Sequence, residues 1–359
     1  MSKKVTFKEV AALAGVSTQT VSRVTNGGDN VNSETLKKVQ AAIDTLGYVP
    51  NKGAQLLVRK KAKIFGVISL EMTMEGAMNI VEGIRLESKK EGYSISISVL
   101  ENGEDSLEQT IRELLSQQVD AILINLAVTK NMAESIVKKY AHIPFLFIDV
   151  PVEAHVNQVS ANHYDGASKM AKLLLSQGHS RFALLNGPAN SWAANQRKLA
   201  WENEIKKENA KIVLQAEGDW SAKSGYLETT KMLLQPIQID ALLVVSDQMA
   251  LGALRACSEQ KKAVPQQIVV SGFDDTADSA YFNPPLTTVK QNFLEIGKQA
   301  VQQVLLQLND DTLISKQFID VELVERQSTM LIEKESNAVQ KIENLLQEIQ
   351  SILPSIPEK

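Results

Sequence analysis

Residues 5–26 read Val-Thr-Phe-Lys-Glu-Val-Ala-Ala-Leu-Ala-Gly-Val-Ser-Thr-Gln-Thr-Val-Ser-Arg-Val-Thr-Asn, and their spacing predicts two short helices around a tight turn. Thr6, with Glu9 three residues later, makes a capping box for a helix over residues 6–13. Ala14-Gly-Val forms the turn, where glycine is free to take a positive φ. Ser17 caps a second helix that runs to about Thr25 and stops at Asn-Gly-Gly. Two helices joined by a three-residue, glycine-containing turn have the dimensions of a helix-turn-helix. Ala11 is small where the helices approach, and Val10 and Val21 are placed to face a third helix. That helix is expected to start at a Ser33 cap, to align Leu36, Val39, Ile43 and Leu46 on one face, and to end at Gly47 before Pro50.

The second helix presents Thr18, Gln19, Ser22 and Arg23 on its polar faces. Gln can pair with adenine through two bonds and Arg with guanine in the same way, so these side chains suit a major groove. Charge points the same way. Through Lys61 the chain has ten basic residues against four acidic, a net +6; the remaining 28 basic and 38 acidic residues give −10, for −4 in total. A basic end on an acidic body implies that the end meets a polyanion and the body does not. A solvated charged face, or a three-helix domain that binds nothing, is the plainer alternative.

Residues 5–26 resemble the DNA-binding headpiece of the LacI family of bacterial repressors. The stretch from Val31 through Leu-Gly-Tyr-Val-Pro-Asn continues the likeness. The resemblance implies base contacts from Thr18, Gln19 and Arg23, and phosphate contacts from Thr6, Ser17, Thr20, Ser22, Asn26 and Thr35. Residues 51–60 resemble the family's hinge, which folds as a short helix on the operator. There the resemblance assigns DNA contacts to Asn51, Ala54 and Leu57, with Leu57 as a minor-groove wedge that partly unstacks a base step. Gly53 departs from that pattern and weakens a helix by ~1 kcal/mol relative to alanine.

Working outward, 359 residues exceed one ordinary domain, and 44% hydrophobic with 22% charged is an ordinary globular balance. No apolar run reaches the ~18 residues of a membrane span, and the first residues lack the apolar core of a signal peptide. Cys257 is a lone thiol, and the four histidines are scattered. A cytoplasmic protein with no membrane partner, metal or cofactor is expected. From Ile64 apolar runs alternate with helix-length amphipathic segments. Strands are expected at 64–69, 94–100, 121–126, 145–150, 182–185, 212–216, 241–245, 268–272 and 318–323. Such alternation builds parallel sheets with helices on both faces, and so many strands suggest two similar lobes. The ligand cleft should then lie between them, beyond the carboxyl ends of the strands.

The polar residues at those ends suit a sugar. Asp149, Ser246, Gln248 and Asp274 follow strands, Arg197 sits early in a helix, and Trp220 and Phe293 flank them. Carboxylates and Arg bond hydroxyls, and aromatic faces stack on a sugar's C–H face. No Gly-rich phosphate loop is present, which indicates a neutral sugar. This body resembles the periplasmic-binding-protein-like core of the same family over nearly the whole chain, through Glu-Gly-Asp-Trp-Ser-Ala at 217–222, Asp-Gln-Met-Ala-Leu-Gly-Ala at 247–253 and Pro-Pro-Leu-Thr-Thr-Val-Lys-Gln at 284–291. By that resemblance Asp149, Arg197, Trp220, Asp274 and Phe293 match inducer contacts, and Ile80 and Ile296 line the apolar side. Ser246 stands where asparagine is expected, Ala193 where a serine touches the sugar, and residues 71–77 differ from the family's apolar wall.

Near the end, Val339, Ile342, Leu346, Ile349 and Leu353 recur at spacings of three and four, an a/d seam of about two heptads. A lone helix of that length is marginal in water, so partner helices are expected, with a four-helix bundle burying the seam best. The expected fold class is therefore α/β. An all-α helix-turn-helix headpiece (1–50) and a hinge (51–61) precede a two-lobed core of two doubly wound parallel sheets (62–332). A linker and oligomerisation helix (333–359) follow. The expected function is a non-enzymatic repressor of a sugar-utilisation operon, with a lactose- or galactoside-type inducer, double-stranded operator DNA as partner, and a homodimer that assembles to a homotetramer. Rival readings are a corepressor-dependent regulator sensing another sugar or a purine, a transport-type sugar binder, and a glycosidase using Asp149 and Asp274.

Overall fold

The computed structural model describes residues 5–25, 31–49, 62–69, 74–100, 104–309, 314–330 and 345–346. The chain separates between Lys63 and Ile64 into two compact units.

The first unit contains α1 (Phe7–Ala14), α2 (Thr18–Thr25) and α3 (Ser33–Leu46). The Glu9 carboxylate accepts hydrogen bonds from the Thr6 N–H at 2.7 Å and its hydroxyl at 2.9 Å, which fixes the start of α1. Gly15 ends that helix at φ 66°, a conformation that lets its N–H reach the Ala11 carbonyl. Ser17 Oγ accepts the Thr20 N–H at 3.1 Å and so caps α2. The third helix is capped by Asn32 rather than Ser33: Asn32 Oδ1 accepts the Thr35 N–H at 2.7 Å, and Ser33 is already helical. Val10, Ala11, Val21, Val39 and Ala42 form the core, with Phe7, Ile43, Leu46 and Tyr48 packed around it. Leu36 is 49% exposed, so the buried seam of α3 starts a turn later than its apolar spacing suggests.

In the second unit the chain first runs β1 (Ile64–Ser69), α4 (Glu75–Lys90), β2 (Ser94–Val99), α5 (Glu104–Ser116), β3 (Ala121–Ala127), α6 (Lys130–Lys139), β4 (Phe145–Asp149) and β5 (Gln158–Ala161). It continues through α7 (His163–Ser176), β6 (Arg181–Asn186), α8 (Trp192–Lys207), β7 (Lys211–Glu217), α9 (Ala222–Leu233), β8 (Ala241–Val244), α10 (Asp247–Glu259) and β9 (Val269–Ser271). The last elements are β10 (Thr288–Lys290), α11 (Phe293–Gln307), β11 (Lys316–Ile319) and β12 (Glu322–Val324). One lobe holds a six-stranded sheet in the order β11-β5-β4-β3-β1-β2, the other a four-stranded sheet β7-β6-β8-β9. Every pairing within these two sheets is parallel. The central strands β3 and β8 are buried almost end to end, whereas the edge strands β2 and β7 are partly exposed, as sheets covered on both faces require.

The expected strand at 318–323 is in fact two. Its first part, β11, joins the six-stranded sheet beside β5, while β12 pairs antiparallel with β10 in a separate ribbon. Asp320 and Val321 lie between them, and the chain changes sheets there. Two strands, β5 and β10, were not anticipated; both are short and carry polar residues. The lobes share one packing device. A Cβ at Gly83 of α4 would sit 2.3 Å from the Leu294 carbonyl oxygen of α11, and one at Gly225 of α9 would sit 2.1 Å from that of Met249 in α10. Glycine permits these backbones to touch.

Candidate functional site

In the first unit, Thr6, Ser17, Thr18, Gln19 and Arg23 are exposed, while Thr20, Ser22 and Thr35 are half-buried. Thr18 and Ser22, like Gln19 and Arg23, are one helical turn apart on α2 and so lie side by side. Val21, on the side of the helix away from Gln19 and Arg23, is fully buried against α1 and α3. The helix is thus held by one face and leaves a polar, cationic face outward. Asn26, Asn51, Ala54 and Leu57 lie outside the described residues.

In the second unit a cleft of about 960 Å³, its open mouth included, lies at the carboxyl ends of both sheets. Ile80, Asp149, Arg197, Trp220, Ser246, Gln248, Asp274, Phe293 and Ile296 all line it. These residues are 216 positions apart at the extremes, and the strand ends bring them together.

Arg197 is the buried centre of the cleft, 3% exposed. Its guanidinium donates to the Val245 carbonyl and, at 3.5 Å, to Asp274. It lies 3.8 Å from the Phe273 ring centroid and 5.7 Å from that of Trp220, so cation–π contacts replace part of its lost hydration. Arg197 also lies 3.3 Å from His163 Nδ1, and guanidinium only donates. His163 must therefore accept through Nδ1 and hold its proton on Nε2, which faces Ser160 Oγ at 3.2 Å. Burial, reinforced by the Arg197 charge, holds the His163 pKa well below its ordinary value, so the ring stays neutral.

Asp149 joins the two lobes. Its carboxylate accepts the Ser191 hydroxyl and the Ala193 N–H, both at 2.8 Å, at the N-terminus of α8. Burial nevertheless raises its pKa, opposed by those bonds and by Arg197. Asp274 has φ 129°, unusual for a residue with a side chain. Its N–H donates to the Val289 carbonyl at 2.7 Å, and Gln291 Nε2 donates to its carboxylate at 2.6 Å; both bonds hold the strained conformation. Burial pushes the Asp274 pKa up to about 7, with Arg197 pulling it down and Asp247 pushing it up. Ser246 caps α10 by accepting the Met249 N–H at 3.3 Å. Its neighbour Asp247 is fully buried and serves the loop rather than the cleft, accepting from Thr288 and Thr276. On the apolar side, Ile80, Ile148, Ala161, Phe293 and Ile296 complete the wall.

The lacI family of bacterial regulatory proteins matches residues 6–51, and a periplasmic binding protein-like domain matches residues 171–329. The chain is 36% identical over 329 residues to the lactose operon repressor of Escherichia coli (strain K12), covering 91% of each protein. This chain belongs to the LacI family. It is 28% identical to the ribose operon repressor of the same organism over 311 residues, 86% of this chain and 94% of that one. A crystal structure of the lac repressor dimer bound to operator and the anti-inducer ONPF aligns with a TM-score of 0.86 at 36% identity, covering 92% of this chain and 100% of that one.

As a LacI-family member the chain is a DNA-binding transcriptional repressor with a ligand-binding core, and not an enzyme. Sequence reasoning about this core missed several cleft residues: Glu75, Asn125, Ser160, His163, Thr276 and Gln291. Ser160 and His163 escaped because β5, which positions them, went unrecognised. Asn125 was legible in principle, since it lies in the apolar run of β3 near the carboxyl end. Its amide donates to Ser69 at 3.1 Å. The others belong to loops or helix ends whose partners are far away in sequence.

Proposed function

We propose that this LacI-family repressor binds an operator through α2 and releases it when a neutral sugar, of the galactoside type, occupies the cleft. The observation that carries the reading is the surrounding of Arg197: two carboxylates, an aromatic face at Trp220 and an apolar wall converge on one pocket. Carboxylates and guanidinium bond the hydroxyls of a pyranose, and Trp220 and Phe293 cover its C–H face. Ser246, Gln248, Ile80 and Ile296 complete the ligand contacts in this reading. Thr18, Gln19 and Arg23 read bases, and Thr6, Ser17, Thr20, Ser22, Asn26 and Thr35 hold phosphates. Asn51, Ala54 and Leu57 form the hinge contact in the minor groove.

The cleft is built from two lobes that Asp149 already ties together, so a ligand there alters which lobe arrangement is favoured. Sugar and operator then act on one equilibrium. The repressor works in the cytoplasm as a dimer on a near-palindromic operator. Leu86 of α4 and Ile97 and Val99 of β2, each between 43% and 49% exposed, offer apolar surface to a second copy. Val339, Ile342, Leu346, Ile349 and Leu353 would join two dimers into a tetramer. Leu346 lies in a helical pair with its side chain exposed; the other four lie outside the described residues.

A panel of sugars, lactose-type sugars included, titrated into a labelled operator-containing promoter complex tests the reading. Release by a neutral galactoside is expected. Tightening by any ligand would instead establish corepression, and indifference to every sugar would remove the sugar reading.

A further inference from the structure

The N-terminus of α4 brings a third carboxylate into the cleft beside Asp149 and Asp274. Glu75 is the first residue of that helix, is half-buried and lines the cavity. Its Oε1 accepts the backbone N–H of Ala277 at 3.1 Å, a bond across 202 residues that joins one lobe to the other three residues beyond Asp274. Its second oxygen takes no hydrogen bond among the described residues.

The other carboxylates of the cleft carry more protein bonds, although Asp274 also keeps one oxygen, Oδ2, without a hydrogen bond among the described residues. Both oxygens of Asp149 are held by α8, and Asp274 Oδ1 is held by Arg197 and Gln291. Among the described cavity residues, Arg197 is the cation set against Glu75, Asp149 and Asp274. The Glu75 carboxylate lies close enough to Asp274 to add a small push to the pKa that burial already raises there.

We propose that Glu75 determines the charge specificity of the cleft: it rejects anionic ligands such as sugar phosphates and uronic acids, and takes a hydroxyl of the uncharged sugar on its free oxygen. The inference rests on the sugar-binding reading above and assigns that site its ligand charge. An anion entering beside Glu75 meets a carboxylate that no cation pairs with among the described residues, in a half-buried wall where repulsion is stronger than in water. A hydroxyl meets an acceptor that already has its geometry fixed by Ala277.

Isothermal titration of the full chain with galactose, methyl β-galactoside, galacturonate and galactose 6-phosphate tests this, comparing wild type with Glu75→Gln and Glu75→Ala. The Gln variant retains an acceptor for the Ala277 N–H and loses only the charge, so a purely lobe-joining role would leave its selectivity unchanged. The expected result is a neutral-over-anion preference in wild type that shrinks about tenfold in both variants. An unchanged preference in Glu75→Gln overturns the assignment, as does tight binding of the anions by wild type. Failure of wild type to bind any of the four sugars overturns the galactoside reading itself, and the inference with it.

Discussion

Asp274 combines a buried carboxyl with a strained backbone at the wall of the cleft. Its positive φ is imposed by bonds to Val289 and Gln291, and its burial raises its pKa to about 7. A folded value above the ordinary one means that the fold holds a proton there which the unfolded chain gives up. That contribution to stability is complete below about pH 4 and is lost as pH rises through about 7. A sugar hydroxyl that donates to the ionised carboxylate has the opposite preference. Sugar affinity should therefore rise about tenfold between about pH 6 and about pH 8, measured by isothermal titration. Asp274→Asn should flatten that profile, and a flat wild-type profile would take Asp274 out of the site. Arg197→Ala should abolish the sugar response while costing the core ~3–5 kcal/mol in denaturant unfolding, because Asp274 and the Val245 carbonyl lose a buried partner. Asp149, Arg197 and Asp274 were legible because strand ends and the helices after them are where open α/β sheets bind ligands. Glu75 and Thr276 were not: each takes its place in the cleft through a contact with a distant part of the fold, and nothing local marks it.

At the scale of the element, α2 does two jobs with alternating faces. Val21 anchors it, and Thr18, Gln19 and Arg23 point away from the core. Arg23→Ala should cost ~1–3 kcal/mol on specific operator sites and relax base preference at one position, read by binding-site selection. An unchanged selection profile would remove Arg23 from base readout. Between α4 and α11, Gly83→Ala forces a methyl group against the Leu294 carbonyl, where neither backbone can yield cheaply. That variant should lose ~1–3 kcal/mol of stability by thermal unfolding even though it adds apolar surface. Most elements were readable from periodicity and caps, since long apolar runs and Thr6, Ser17 and Gly15 leave local signatures. The exceptions have a common cause. β5 and β10 are short and polar-bearing, and the run at 318–323 hides a change of sheet because apolar pattern records burial, not which strand lies alongside.

For the whole molecule, the charge split acquires a meaning. The +6 segment belongs to the unit that carries α2, and the −10 remainder to the part that senses the ligand. The logarithm of operator affinity should fall steeply and linearly with log salt, whereas sugar affinity should barely change. Truncation after Ser336 should leave dimers that still bind one operator; sedimentation showing tetramers would refute the proposed role of the tail. The central claim is that sugar and operator act on the same equilibrium, and thermodynamics then demands reciprocity. The most direct measurement is the inducer's affinity for the free repressor and for the repressor saturated with operator. Operator should weaken sugar binding by the same factor by which saturating sugar weakens operator binding. Equal sugar affinity with and without operator would contradict it.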